Sequence, residues 1–187
     1  MLGKTLRHFS ITAGCILLMS LTQISMASTS KGTANLPSSQ QPKDLQDKVR
    51  HSLLMLSYYG VFDEINFSIQ GSTVTLAGDV RRPLLKFEAE DAVRRVDGVS
   101  NIVNNIEILP LSAADDALRS GMYRAIYSQP GFERYSIQAM KPIRIIVKNG
   151  HVTLVGMVGS ELDKILAGTA ARNVPFAFSV TNNLSIG

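Results

Sequence analysis

The chain writes nearly the same strand twice: residues 74–80 read VTLAGDV and residues 152–158 read VTLVGMV. Setting residues 71–109 against 149–187 without a gap gives fourteen identities in 39 positions, among them Val74/Val152, Leu76/Leu154, Gly78/Gly156, Arg94/Arg172 and Asn104/Asn182. Such a repeat constrains the fold more than any other feature. Two copies of about 70 residues are too few for a solenoid and point to tandem small domains.

Each copy spells the same order of elements. In the first, Asp44 and Asp47 suit a helix start, and Val49, Leu53 and Leu56 form an apolar i, i+4, i+7 stripe. Two strands follow, Ile65 to Ile69 and Thr73 to Val80, turning at Gln70-Gly71. The matching turn in the second copy is Asn149-Gly150, a strong hairpin signal. The next helix presents Ala89, Ala92, Val93 and Val96, mirrored by Ala167, Ala170, Ala171 and Val174. These small side chains predict a helix lying close to a sheet. A closing strand, Asn101 to Ile108, is mirrored by Ser179 to Ile186. The expected class is α+β, with two tandem αββαβ domains at 43–110 and 111–187, each a three-stranded sheet packed by two helices. Gly71, Gly78, Gly98, Gly150 and Gly156 are expected to be structural glycines, Gly78 and Gly156 marking a bulge or a close backbone approach.

The first 27 residues read as a signal peptide. Lys4 and Arg7 precede an uncharged apolar run from Phe9 to Leu21, and Ser25-Met26-Ala27 supplies small residues for cleavage near Ala27. The run is short for a membrane span of about 20 residues. Cys15, the only cysteine, lies too early in that run to serve well as a lipoprotein cysteine. An exported form would carry no thiol, so disulfides, thiolate metal sites and cysteine nucleophiles are excluded. Residues 28–42, rich in Ser, Gln and Pro, read as a disordered leader.

The V-x-L-x-G-x-V strand, the alanine-faced helix and the closing strand, V-x-N-N-[IL]-x-[IV] with Ile102 in place of the valine in the first copy, together resemble the BON domain. That resemblance spans about residues 43 to 187 and implies a periplasmic or outer-membrane-associated envelope protein with a phospholipid-binding or membrane-attaching role. Val96-Asp97-Gly98-Val99 fits the family's corner before the last strand. The second copy has Val174-Pro175-Phe176-Ala177 there. Phe176 would be strained at a positive φ, so this corner is expected to be reshaped.

No catalytic constellation emerges from the sequence. His51 and His151 are isolated, Glu88, Glu90 and Asp91 sit within reach of Arg94 and Arg95 on one helix, and the serine-hydrolase, zincin and Walker patterns are missing. A non-enzymatic protein with no cofactor and no metal is expected.

Charge divides unevenly between the copies. Residues 43–111 hold eight Lys and Arg against ten Asp and Glu, and residues 112–187 hold eight against five. From Arg119 to Lys148 six cations accompany one acid, Glu133, with Tyr123, Tyr127, Phe132 and Tyr135 between them. Ser112 and Asp115 should start a helix there that ends near Ser128, before Pro130. Leu118, Met122 and Ala125 are expected to face the core, with Arg119, Tyr123 and Tyr127 on an adjoining stripe. The loop from Gln129 to Pro142 exceeds its counterpart by about nine residues. Cations beside aromatic rings suit a membrane interface, and the candidate lipid-binding residues are Arg119, Tyr123, Arg124, Tyr127, Phe132, Arg134, Tyr135 and Lys141. The competing reading is structural: Tyr127 and Phe132 close the core over the helix end, as Tyr58 and Phe62 do in the first copy, and the six cations form a soluble face.

The expected partner is therefore an anionic phospholipid or membrane surface met through the second domain, in support of envelope integrity under stress. The alternative is a protein–protein adaptor docking an envelope protein through a strand edge or the aromatic helix. Nucleic acid is disfavoured by export and by a net charge of only +2 once Lys4 and Arg7 are removed from the +4 of the full chain.

Overall fold

The computed structural model describes residues 41–187. The expected signal peptide, its cleavage site near Ala27, Cys15 and the leader up to residue 40 lie outside the described residues. The first copy runs α1 (Gln41–Leu54), β1 (Glu64–Gln70), β2 (Thr73–Val80), α2 (Pro83–Arg94) and β3 (Asn101–Ile108). The second runs α3 (Ala113–Tyr127), α4 (Glu133–Ser136), β4 (Ile143–Lys148), β5 (His151–Val158), α5 (Glu161–Arg172) and β6 (Ser179–Ile186). The fold is α+β, two tandem units each with one three-stranded sheet. Two expectations about the helices need correction. α1 begins at Gln41, so Asp44 sits inside its first turn, paired with Lys48 at 2.8 Å, and does not cap it. The long loop of the second copy contains a single helical turn, α4.

Sheet topology repeats exactly as the sequence does. β1 and β2 pair antiparallel and β2 and β3 parallel, giving the order β1-β2-β3, with β4-β5-β6 matching it. A parallel pair needs a crossover, and α2 and α5 provide it. Their alanines explain how closely they lie: Ala89 in α2, and Ala167 and Ala171 in α5, are fully buried. Asn104 and Asn182 of the closing strands donate to the carbonyls of Lys86 and Lys164, tying each crossover helix to its sheet. One core gathers Val49, Leu53, Leu76, Leu85 and Ile106; the other gathers Met122, Ile126, Ile145, Leu154 and Leu184.

Gly78 and Gly156 adopt φ of +130° and +117°, and a Cβ on either would run into a neighbouring backbone carbonyl, that of Glu64 or Pro142. The β4–β5 turn has both Asn149 and Gly150 at positive φ, as a two-residue hairpin of this hand requires. Buried Asp115 of α3 accepts hydrogen bonds from both their N–H groups, at 2.9 and 2.8 Å, fixing the hairpin to the helix start. The corner at Phe176 is not reshaped. Phe176 takes φ 70° where Gly98 takes 100°, and the bond from Phe178 N–H to the Gly150 carbonyl reproduces that from Ser100 to Ser72. No helix among the described residues is long and apolar enough to cross a membrane.

Candidate functional site

Helix α3 starts where its residues direct. The Ser112 side chain accepts from the Asp115 N–H at 3.2 Å, and Asp115 and Asp116 occupy the first turn, where carboxylates favour the helix dipole. At about 100° per residue, Arg119 falls on the stripe of Met122 and Ile126, both fully buried.

Arg119 is therefore not on the surface. Its side chain is only 3% exposed, and it donates to the Asp116 carboxylate at 2.7 Å and to the Val147 carbonyl at 2.6 Å. The expected membrane-facing stripe fails here because Ile126, seven residues on, shows that position 119 points to the core. Tyr127 is also buried, its hydroxyl donating to the Ile143 carbonyl at 2.7 Å, and burial pushes its phenol well above the ordinary range. Phe132 is fully enclosed and meets Tyr135 edge to face at 5.3 Å. Tyr135 is buried as well: its hydroxyl donates to Asp163 at 2.9 Å and accepts from the Gly159 N–H at 2.8 Å. Arg119, Tyr127, Phe132 and Tyr135 thus leave the candidate surface; Tyr127 and Phe132 pack in the core, while Arg119 lies neither on a membrane-facing stripe nor on a soluble face. Arg134 remains half exposed but lies over the Tyr135 ring and pairs with Asp163 at 2.6 Å.

The three remaining residues come together. Tyr123, Arg124 and Lys141 line one open groove of about 500 Å³ with Val61, Phe62, Ser120 and Ala139. Phe62 and Tyr123 meet at 6.3 Å and 66°, making an aromatic wall, and Tyr123 continues onto Tyr127 at 4.8 Å. Arg124 is exposed and forms no ion pair among the described residues. Among the described residues the Lys141 ammonium donates only to the Gln138 carbonyl, at 2.8 Å. None of the groove's lining residues among the described residues is acidic. Two cations thus stand over an apolar and aromatic surface, an arrangement that suits an anionic amphiphile.

Sequence reasoning missed Val61 and assigned Phe62 to the wrong core, that of the first copy. They belong to the first copy yet pack on the core of the second. Tyr58, expected beside Phe62 over the first core, is exposed instead.

Among the described residues no group of three or more metal-ligating side chains is found. His151 is exposed, near the Ser179 hydroxyl and edge-on to Phe178 at 5.9 Å.

The family model of the BON domain matches residues 43–110 and 132–187. No curated protein matches the chain. Among solved structures, the C-terminal domain of CdsD, described as the structural protein of the Type III secretion system of Chlamydia trachomatis, is similar at 18% identity and a TM-score of 0.30. That alignment covers 76% of this chain and 64% of the CdsD chain, so this chain spans less than two thirds of it. A second structure of Chlamydia trachomatis CdsD aligns over 77% of this chain and 92% of its own at 12% identity and a TM-score of 0.28.

Proposed function

The chain belongs to the BON-domain family, and on that premise we propose that it is a non-enzymatic module of the bacterial envelope that attaches to anionic phospholipid surfaces. The attachment site is the groove of Tyr123, Arg124 and Lys141, completed by Val61 and Phe62. One observation carries this reading: Arg124 and Lys141 stand at an aromatic groove whose lining residues include no carboxylate. Each cation near an anionic leaflet contributes about 1 kcal/mol, and the Phe62 and Tyr123 rings suit the headgroup depth, where amphipathic side chains settle. Support for envelope integrity under stress is the role this attachment would serve.

Co-sedimentation of residues 28–187 with phosphatidylglycerol vesicles, against phosphatidylcholine vesicles, tests it at low and high salt. The expected result is binding that requires the anionic lipid, weakens with salt, and drops at least tenfold when Arg124→Glu and Lys141→Glu are combined. Failure to pellet with either lipid would sink the lipid reading. The adaptor reading would then take its place, favoured by β3 and β6, each an outer strand of its sheet.

A further inference from the structure

The repeat supplies an internal control for one unusual corner. In the first copy the turn before the closing strand is Val96-Asp97-Gly98-Val99-Ser100; in the second it is Val174-Pro175-Phe176-Ala177-Phe178. The backbone follows the same course in both, with positive φ at Gly98 and at Phe176 and the same hydrogen bond two residues later. A left-handed backbone suits glycine and strains a bulky side chain. Phe176 nevertheless occupies it and is 90% exposed, while Phe178, where the first copy has serine, is 79% exposed. Phe176 is unfavourable for the backbone and for solvation, and no burial within its own fold compensates. Phe178 touches His151 and the Gly150 turn and otherwise projects beside it.

The carboxylate nearest this corner, Asp115, is buried and bonded to the Asn149-Gly150 turn, and an arginine stands at the exposed side. Arg172 ends α5 just before the corner, and no carboxylate side chain follows Asp163 in the sequence. The corner also adjoins α3. Val174 lies against Gly121, and on the helix surface Arg124 falls between Gly121 and Ser120, a groove residue. The exposed face of α3 that carries Arg124 is therefore flanked by the groove on one side and by the phenylalanine corner on the other.

We propose that Phe176 and Phe178 form a membrane wedge that enters the boundary between headgroups and acyl chains of an anionic phospholipid bilayer beside α3. This inference rests on the lipid-surface reading and adds its insertion element. Two exposed rings, two residues apart on a fixed turn, reach apolar depth without any rearrangement of the fold, while Arg172 and Arg124 remain at the level of the phosphates. The strained φ is what aims Phe176 outward from the corner.

Phe176→Gly separates the wedge from a structural role because it restores the residue of the first copy. Relief of strain raises Tm by about 2–4 °C, whereas affinity for phosphatidylglycerol vesicles falls about tenfold. A residue retained for stability would move both readouts the same way. The chain contains no tryptophan, so Phe176→Trp introduces a single indole whose emission should shift to the blue on vesicle binding and be quenched by lipids brominated on their acyl chains. Vesicle binding unchanged by Phe176→Gly and by Phe178→Ser, or an indole that stays in water on bound vesicles, overturns the wedge. If Arg124→Glu with Lys141→Glu weakens binding while both phenylalanine variants leave it intact, only the wedge fails. If the unaltered protein binds no vesicle, the lipid reading fails and the wedge with it. A lipid-free dimer that Phe176→Gly dissolves would assign the corner to a second copy of the chain and overturn the proposal.

Discussion

The Ile145 N–H donates to the Val61 carbonyl at 2.8 Å, so the outer edge of β4 is paired by a loop from the other copy. An open edge would expose unpaired backbone groups. Around this bond Arg144 donates to the Gly60 carbonyl at 2.6 Å and lies 4.2 Å from the Tyr59 ring, and Arg81 reaches Asp116 at 3.2 Å. Phe62, packed on Tyr123 and half buried, supplies the apolar part of the junction. Phe62→Ala should cost about 2–3 kcal/mol and uncouple the copies. Urea unfolding followed by circular dichroism would then show two transitions where the unaltered protein shows one.

Arg119 and Arg124 sit five residues apart on one helix and should behave as opposites. Arg119 is buried between Asp116 and the Val147 carbonyl. Arg119→Ala leaves that carbonyl without its donor and opens a gap in the core, a loss of about 2–3 kcal/mol, while the folded fraction still binds anionic vesicles. Arg124→Ala should leave Tm within about 2 °C of the unaltered protein and lower vesicle binding several-fold. Thermal unfolding and co-sedimentation on the same two variants check both halves.

Gly156 and Gly71 are both at positive φ but face different surroundings. A methyl group on Gly156 collides with the Pro142 carbonyl, part of the chain entering β4, whereas a Cβ on Gly71 meets nothing within 4 Å. Gly71→Ala should therefore cost only the left-handed backbone term, about 1 kcal/mol. Gly156→Ala adds a backbone clash and should cost about 3 kcal/mol or more, read as a difference in urea midpoints.

Legibility in the sequence followed the reach of each signal. The repeat and the alternation of apolar residues carried the order αββαβ, because strand and helix periods are local and the second copy corroborated the first. Asn149-Gly150 identified its hairpin for the same reason. The site was only partly legible. Cations and aromatics between Arg119 and Lys148 formed one basic, aromatic stretch, but the sequence could not tell Tyr123, in the groove, from Tyr127, whose hydroxyl is bonded to the Ile143 carbonyl across the fold. The contribution of Phe62 was out of reach because it depends on how one copy packs against the other. Phe176 was visible as an oddity, and its backbone proved to tolerate the strain rather than rearrange.

The Asp163 carboxylate gives the fold an acid limit whose sign can be worked out. Burial alone would push its pKa up, but hydrogen bonds from Ser160 at 2.7 Å, Tyr135 at 2.9 Å and Arg134 at 2.6 Å outweigh it and hold the carboxyl below its ordinary value. The folded protein therefore binds this proton less readily than the unfolded chain, whose aspartate titrates near about 3.9. The stabilisation is fully present above that pH and is lost as pH falls through the lower folded value. Asp163→Asn keeps the size of the side chain but weakens all three bonds, at a cost of about 2 kcal/mol near neutral pH. Urea titrations from pH 7 to pH 3 should show a constant gap between the two proteins down to about pH 5, then a narrowing one. A gap that stays constant to pH 3 would mean that Asp163 titrates alike in the folded and unfolded chains, and that Arg134 and Tyr135 do not stabilise its charged form.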